Sequence, residues 1–370
     1  MVGAERARWT DMSAGNSTRA LPWDVIVPVL AVGMLGLTWG RKPGGVVLVI
    51  VGVFLAGAVP AAVHHAEVVA HRVGESFGSL VLAIAVTVIE VGLIVTLMVS
   101  GGSETSTLAR DTAFAAVMIT CNGVVGLSLL VGSLRQGVAT FNAQGTATAL
   151  ATVLTLTSLC LVLPTFTTSE PGPEFATDQL AFAAVASLAL YGLFVFVQTI
   201  RHREDFLVDE LPEHTDRPTG STTWRSLGLL LVALVAVVGL AKVESPAIED
   251  AVDALGAPQS AVGVVIALLV LMPETIAAVR NARRGHVQTS LNLALGSAMA
   301  SIGLTIPSIA VATIWLDGPL LLGLGSTQLV LLAVTAAVGA LTILPGRATV
   351  QDAGLHLALA LAFLFLAANP

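Results

Sequence analysis

Glu90 lies within GSLVLAIAVTVIEVGLIVTLMVS and Glu274 within AVGVVIALLVLMPETIAAV, two stretches each long and apolar enough to cross a bilayer. An ionised carboxylate at the centre of a membrane helix costs several kcal/mol unless it faces a polar path, a partner or a cation. One such acid in each half of the chain points to reversible binding of protons or cations, and hence to translocation.

Polar side chains follow both acids. After Glu90 come Asp111, Thr112, Thr120, Asn122 and Ser128; after Glu274 comes the run TSLNLALGSAMASIGLTIP, with Asn292, Ser297, Ser301, Thr305 and Pro307. Carboxylates, amides, hydroxyls and freed carbonyls are hard oxygen ligands that suit Ca²⁺ and also Na⁺. The same carboxylates can take protons when the cation leaves. Pro273 removes a backbone donor just before Glu274, and Gly296 with Ser297 permits close helix approach, so a coordinating kink is expected there.

A second titratable group lies in HHAEVVAHRVGESFG, where His64, Glu67, His71 and Glu75 are expected just outside the third span. His64, Glu67 and His71 follow helical steps of three and four residues and could share a face. They would relay protons or sense pH there, or form an interfacial turn with exposed histidines. Cys121 and Cys160 lack metal-ligand or redox spacing and read as inert core residues.

The elements that must hold these groups are membrane helices. The 370 residues are 55% apolar and 11% charged, with a mean hydropathy of +0.88, far from the soluble balance of roughly 25% charged. Eleven spans emerge at residues 23–39, 44–60, 78–99, 111–133, 146–165, 177–199, 224–242, 259–279, 288–314, 319–344 and 350–368, to be set against the about 20 residues a helix needs to cross hydrocarbon. The runs are continuously apolar rather than alternating, which selects helices over strands. The polar amino end lacks the pattern of a cleaved signal peptide.

Charge gives the orientation. Of the 17 Lys and Arg, thirteen fall in the amino tail or the loops after spans 2, 4, 6, 8 and 10; Arg41, Lys42, Arg110 and Lys242 lie on the other side. The amino terminus and the central loop are therefore expected in the cytoplasm and the carboxyl terminus outside. The expected organisation is all-α: an amino tail and leading helix (1–43), a five-helix half (44–200), a cytoplasmic loop (201–223) and a second five-helix half (224–370). An odd number of helices per half inverts one half relative to the other, so that spans 3 and 8 correspond, each with its glutamate, and the substrate site falls near the midplane. The lipid bilayer and inorganic cations are the expected partners. A net charge of −7 without a basic patch argues against nucleic acid, no GxxxxGK[ST] segment suggests a nucleotide, and no HExxH motif suggests intramembrane hydrolysis. A cation channel could use the same two acids.

The stretches AIAVTVIEVGLIVTLMVSGG with TLARDTAFAAVMITCNG, and LLVLMPETIAAVRNARRGHVQTSLNLALGSAMASIGLTIPS, resemble the two alpha repeats of the calcium/cation antiporter superfamily, in its bacterial calcium/proton exchanger branch. The resemblance implies a multi-pass protein of the bacterial inner membrane, not an enzyme. It implies exchange of cytoplasmic Ca²⁺ for external protons by alternating access, with no tightly bound cofactor. Glu90 and Glu274 would alternate between metal and protons, with Asn292, Ser297 and Ser301 in the partner helix of the second repeat. Asp111 would take the place of Asn292 in the first, with Asn122 beyond it. The first repeat departs from the metal-binding pattern: Thr87, Val88 and Ile89 precede Glu90 with neither Asn nor Pro beside the acid, and span 4 lacks a GS pair. Na⁺/H⁺ or K⁺/H⁺ exchange is the alternative.

Overall fold

The computed structural model describes residues 23–41, 43–73, 75–101, 105–206, 218–256, 258–315 and 318–369. Its elements are α1 (Trp23–Thr38), α2 (Gly45–Val73), α3 (Glu75–Gly101), α4 (Leu108–Met118), a π-helical turn (Ile119–Val124) and α5 (Val125–Gln136). After these come α6 (Ala143–Thr157), α7 (Thr177–Phe196), α8 (Gly220–Leu255), α9 (Ser260–Arg284), α10 (Val287–Gly303), α11 (Thr305–Ala312), α12 (Ser326–Ile343) and α13 (Val350–Ala368). Ten helical stretches among the described residues are long and apolar enough to cross a membrane, and α1 is a shorter apolar helix of 16 residues. The eleven expected spans each coincide with one of these.

Successive crossings alternate in direction, so α3 runs away from the end that carries Arg135, Arg201 and Arg283, the basic end, while α9 runs toward it. At the basic end a two-residue antiparallel ladder, Ala139–Thr140 with Arg347–Ala348, ties the α5–α6 connection to the α12–α13 connection. Gly285, at φ +94°, stops α9, and the amides of Gly285 and His286 bond back to Ala282 and Asn281.

Of the boundaries that differ from the sequence expectation, among them α8 running on from the expected 242 to Leu255, three have a local reason. The second span does not stop near residue 60: α2 continues through the histidine segment to Val73. His64 and Glu67 thus lie inside a long helix rather than in a turn before the third span. His65 explains the continuation, since it is 1% exposed and its Nε2 donates to the Asp24 carbonyl of α1 at 2.8 Å. The ninth span breaks between α10 and α11 at Leu304. The tenth starts only at Ser326, because the preceding strand-like segment is held by a bridge between Leu321 and Glu174 and by Gly323 N–H bonding to the Pro173 carbonyl.

Two apolar cores result. One gathers α1, α2 and α8 with one face of α3 and of α9: Ala31, Val59, Ile89, Leu93, Val237, Leu240, Ile266 and Val270 are among its buried residues. The other gathers α4 to α7 and α10 to α13, and takes in Ile94 of α3 and Ala267, Leu271 and Ala278 of α9. The helices α3 and α9 therefore run along the seam between the cores, each contributing to both. Where α9 crosses the start of α4, Gly263 is required: a Cβ there would lie 2.8 Å from the Thr112 nitrogen. At Gly296 an added Cβ would meet nothing within 4 Å. Gly263→Ala should lower stability by about 1–3 kcal/mol through overpacking, and Gly296→Ala should leave it unchanged, as read from thermal unfolding in detergent.

Candidate functional site

The two glutamates sit on the faces of α3 and α9 that meet at the seam. Both are buried, Glu90 at 3% and Glu274 at 9% exposure, and both line one cavity of about 130 Å³. Its wall follows helical spacing on every element. From α3 come Ala83, Val86, Thr87 and Glu90; from α9, Ala267, Val270, Leu271 and Glu274; from α7, Tyr191, Phe194, Val195 and Gln198. Such i, i+3, i+4, i+7 sets are single helix faces. The fourth wall is α10, with Asn292, Gly296, Ser297 and Ser301.

Most lining positions on α3 and α10 lie on the basic-end side of Glu90, while Ala267, Val270 and Leu271 of α9 lie on the other side of Glu274, so the cavity spans the level of the two acids. On the far side of the glutamates the packing is tight and apolar: Leu93, Ile94 and Leu97 of α3, Val262 of α9 and Ile302 of α10 are all buried.

The acids are not equivalent. Ser301 donates to Glu90 Oε1 at 2.6 Å, joining the first acid to the second repeat's partner helix. The Glu274 Oε2 atom is buried without a hydrogen-bond partner. A buried acceptor left unsatisfied costs about 1–3 kcal/mol, so this oxygen is open to a hydrogen-bond donor or other positive partner. Glu90 is already held on one oxygen by a neutral donor. Among the described residues there is no group of three or more His, Cys, Asp or Glu placed to hold a metal ion.

Asn292 lines the cavity, but its amide is engaged at the rim. Its Nδ2 donates to the Phe206 carbonyl at 2.6 Å and its Oδ1 accepts from Gln288 at 2.8 Å. Gln288 Oε1 in turn accepts from the Asn142 backbone at 2.7 Å, where Asn142 caps α6 by accepting from Gly145. The turn at His202–Phe206 is thereby seated on α6 and α10, with Phe206 packed edge-on against Phe194 at 5.7 Å. Ser297 is half-buried on the wall.

Two residues expected at the site are not among those lining the cavity. Asp111 lies at the first turn of α4, at the end opposite the basic one. There it is paired with Arg110 at 2.8 Å and accepts from Thr107 at 2.8 Å and from Gln328 at 3.4 Å. A carboxylate in a helix first turn, saturated by a neighbouring guanidinium, is a structural anchor. Asn122 is fully buried in the π-helical turn and donates to Thr335 at 3.0 Å, with His356 on its oxygen. Its registry along α4 and α5 is displaced by that wider turn, which the sequence did not reveal.

The histidine group is spread along the end of α2. His64 packs against Trp23 at 5.7 Å and His65 at 5.6 Å, Glu67 is half-buried and His71 is exposed. The side chain of Glu75 lies outside the described residues.

Tyr191 and Gln198, both on the cavity wall, were not expected. The signal was present: the chain's single tyrosine and a glutamine stand seven residues apart in an apolar span, on one helix face.

The family model described as sodium/calcium exchanger protein matches this chain twice, over residues 44–200 and 225–368. The chain is 43% identical to the putative ionic transporter y4hA of Sinorhizobium fredii, over 94% of this chain and 96% of that protein. It is 33% identical to the sodium-potassium/proton antiporter ChaA of Escherichia coli, again over 94% of this chain and 96% of the relative. The structure of native YfkE superposes with a TM-score of 0.70 at 15% identity, covering 94% of this chain and 99% of that one.

The Ser301 contact yields a prediction. A hydrogen bond to a charged group is worth roughly 1.5–3 kcal/mol, so Ser301→Ala should weaken apparent cation affinity about 10-fold or more in a flux assay. Asp111→Asn, remote from the cavity, should retain exchange.

Proposed function

We propose that this chain, which belongs to the sodium/calcium exchanger family within the calcium/cation antiporter superfamily, exchanges a cation for protons at Glu90 and Glu274, with Na⁺ or K⁺ as the favoured cargo. The observation that carries this reading is a pair of buried carboxylates, one from each half, lining one cavity at the seam between two cores. A member of this superfamily is a membrane transporter, not an enzyme.

The chemistry follows from the burial. Deprotonated, the pair attracts a cation into a cavity whose other walls are apolar or carry hydroxyls and the amides of Gln198 and Asn292. Protonated, it is neutral and the attraction is gone. Cation and proton thus compete for the same oxygens, and binding one expels the other. The two acids interact, so their protons come off as steps belonging to the pair rather than to either residue. Alternating access supplies direction: cations enter while the cavity opens to one side, and protons replace them after it opens to the other. In the orientation given by the basic loops, the basic end is the cytoplasmic side, and the carboxyl terminus lies outside.

On that side His64, Glu67 and His71 share the last turns of α2, where they would pass protons between cytoplasm and cavity. The remaining organisation is an amino tail and leading helix (1–43), two halves (44–200 and 224–370) that each contribute helices to both cores, and a connecting segment (201–223).

The ligand set favours a monovalent cargo. Ca²⁺ takes six to eight oxygens. With Asp111 in an ion pair and Asn122 in another cluster, the cavity offers two carboxylates, a few hydroxyls and the Gln198 amide, fewer than six oxygens from carboxylates and amides together, and the Asn292 amide is engaged by Phe206 and Gln288. The similarity to a sodium-potassium/proton antiporter points the same way. Ca²⁺ exchange is the second reading, and one observation favours it: two buried carboxylates neutralise a divalent charge in full.

Proteoliposomes with an imposed proton gradient separate these readings. Uphill Na⁺ or K⁺ uptake should accompany internal pH change in wild type and fall at least 100-fold in Glu90→Gln and in Glu274→Gln. Accumulation of ⁴⁵Ca²⁺ alone would install the second reading, and downhill leakage without proton coupling would indicate a channel.

A further inference from the structure

Of the two amides on the cavity wall, Asn292 is engaged at the rim and Gln198 is not. Among the described residues no group is hydrogen-bonded to the Gln198 side chain, whereas Gln179, Gln288 and Gln328 are each tied to a neighbour. A polar side chain in an apolar span costs free energy unless something satisfies it. The occupant of the cavity, water or cation, is the partner left to Gln198.

The direction of this side chain is set by the helix that carries it. Phe196 and Ile200, two residues to either side, are exposed and face lipid, which turns Gln198 inward. A π-helical turn, Val197–Arg201, closes there through the His202 amide on the Val197 carbonyl at 2.8 Å, and such turns recur at functional sites.

The level of Gln198 follows from the packing of α7 on α10, which run antiparallel. Tyr191 lies against Gly303, where an added Cβ would be 2.7 Å from the Tyr191 Cβ. Seven residues on along α7 and seven back along α10 bring Gln198 opposite Gly296. The same register puts Asn292 beside the turn that follows α7, where it bonds to Phe206. Two further bonds locate the acids on this scale: Ser301 donates to Glu90, and Ser290 donates to the Ala278 carbonyl of α9 at 2.6 Å. One turn back from Ala278, Glu274 stands opposite Ala294. Gly296 is therefore at a level between the two acids, and because a Cβ there would meet nothing within 4 Å, the space before Gln198 is open.

We propose that the side-chain oxygen of Gln198 is a ligand of the transported cation, supplied by a helix that carries neither acid, and that its neutrality helps to fix the charge of the cargo. An amide adds one hard oxygen to the two carboxylates without adding a negative charge. A carboxylate at the same position would make the site more negative and favour a divalent ion, since ligand charge count tunes affinity for such ions. The inference rests on the exchange reading in taking this cavity as the cation's site. It does not depend on proton coupling, because an amide does not titrate.

Calorimetric binding of Na⁺, K⁺ and Ca²⁺ to the detergent-solubilised full chain tests this. Gln198→Leu should raise Kd for the cation that wild type binds by about 10-fold, with the number of protons released per cation unchanged. Gln198→Glu should still bind cations and shift the ratio of Ca²⁺ to Na⁺ affinity toward Ca²⁺ by about 10-fold or more. An unchanged Kd in Gln198→Leu, or an unchanged ratio in Gln198→Glu, overturns the proposal. Should Gln198→Leu not fold, Gln198→Glu, of nearly the same size and shape, decides alone. Cation binding without proton release in wild type would overturn the exchange reading instead, and the same comparison of Kd values still judges Gln198.

Discussion

Two carboxylates have to be kept inside a bilayer, and the rest of the structure is arranged around that constraint. In hydrocarbon neither acid could stay ionised without a counter-charge, so each is placed where one can arrive: on the faces of α3 and α9 that meet between two apolar cores. Each of these helices packs with one side into the core of α1, α2 and α8 and with the other into the core of the remaining helices. A seam between two well-packed bodies can open without either body unfolding, because packed cores move as units.

Elsewhere, polar groups are used to hold helix ends. Asp111, Arg110, Thr107 and Gln328 pin the start of α4 at one end of the membrane. Asn142, Gln288 and Asn292 seat the Phe206 turn on the other. These networks engage the Asn142, Gln288 and Asn292 amides away from the two carboxylates.

The helices were legible because their apolar runs are continuous and end at charged or Pro- and Gly-containing segments. Glu90 and Glu274 stood out because nothing else in those runs is charged. What could not be read depended on tertiary contact. Asp111 looked like a counterpart of Asn292 by position, yet its neighbour Arg110 turns toward it and removes it from the site. The histidines after residue 60 looked like the end of a span, yet His65 bonds to Asp24, 41 residues earlier, and the helix runs on. Asn122 and His356 are 234 residues apart, so their contact had no local signature. Tyr191 and Gln198 did have one, in their seven-residue spacing.

The central claim is that cation and proton compete for one pair of carboxylates. Isothermal titration of the detergent-solubilised protein with Na⁺, K⁺ or Ca²⁺, repeated in buffers of different ionisation enthalpy, counts protons released per cation bound. The account predicts a heat that depends on the buffer, net proton release on binding, and loss of that release when both glutamates are replaced by glutamine. Cation binding with a buffer-independent heat in the wild type, across the pH range where binding itself weakens, would contradict it.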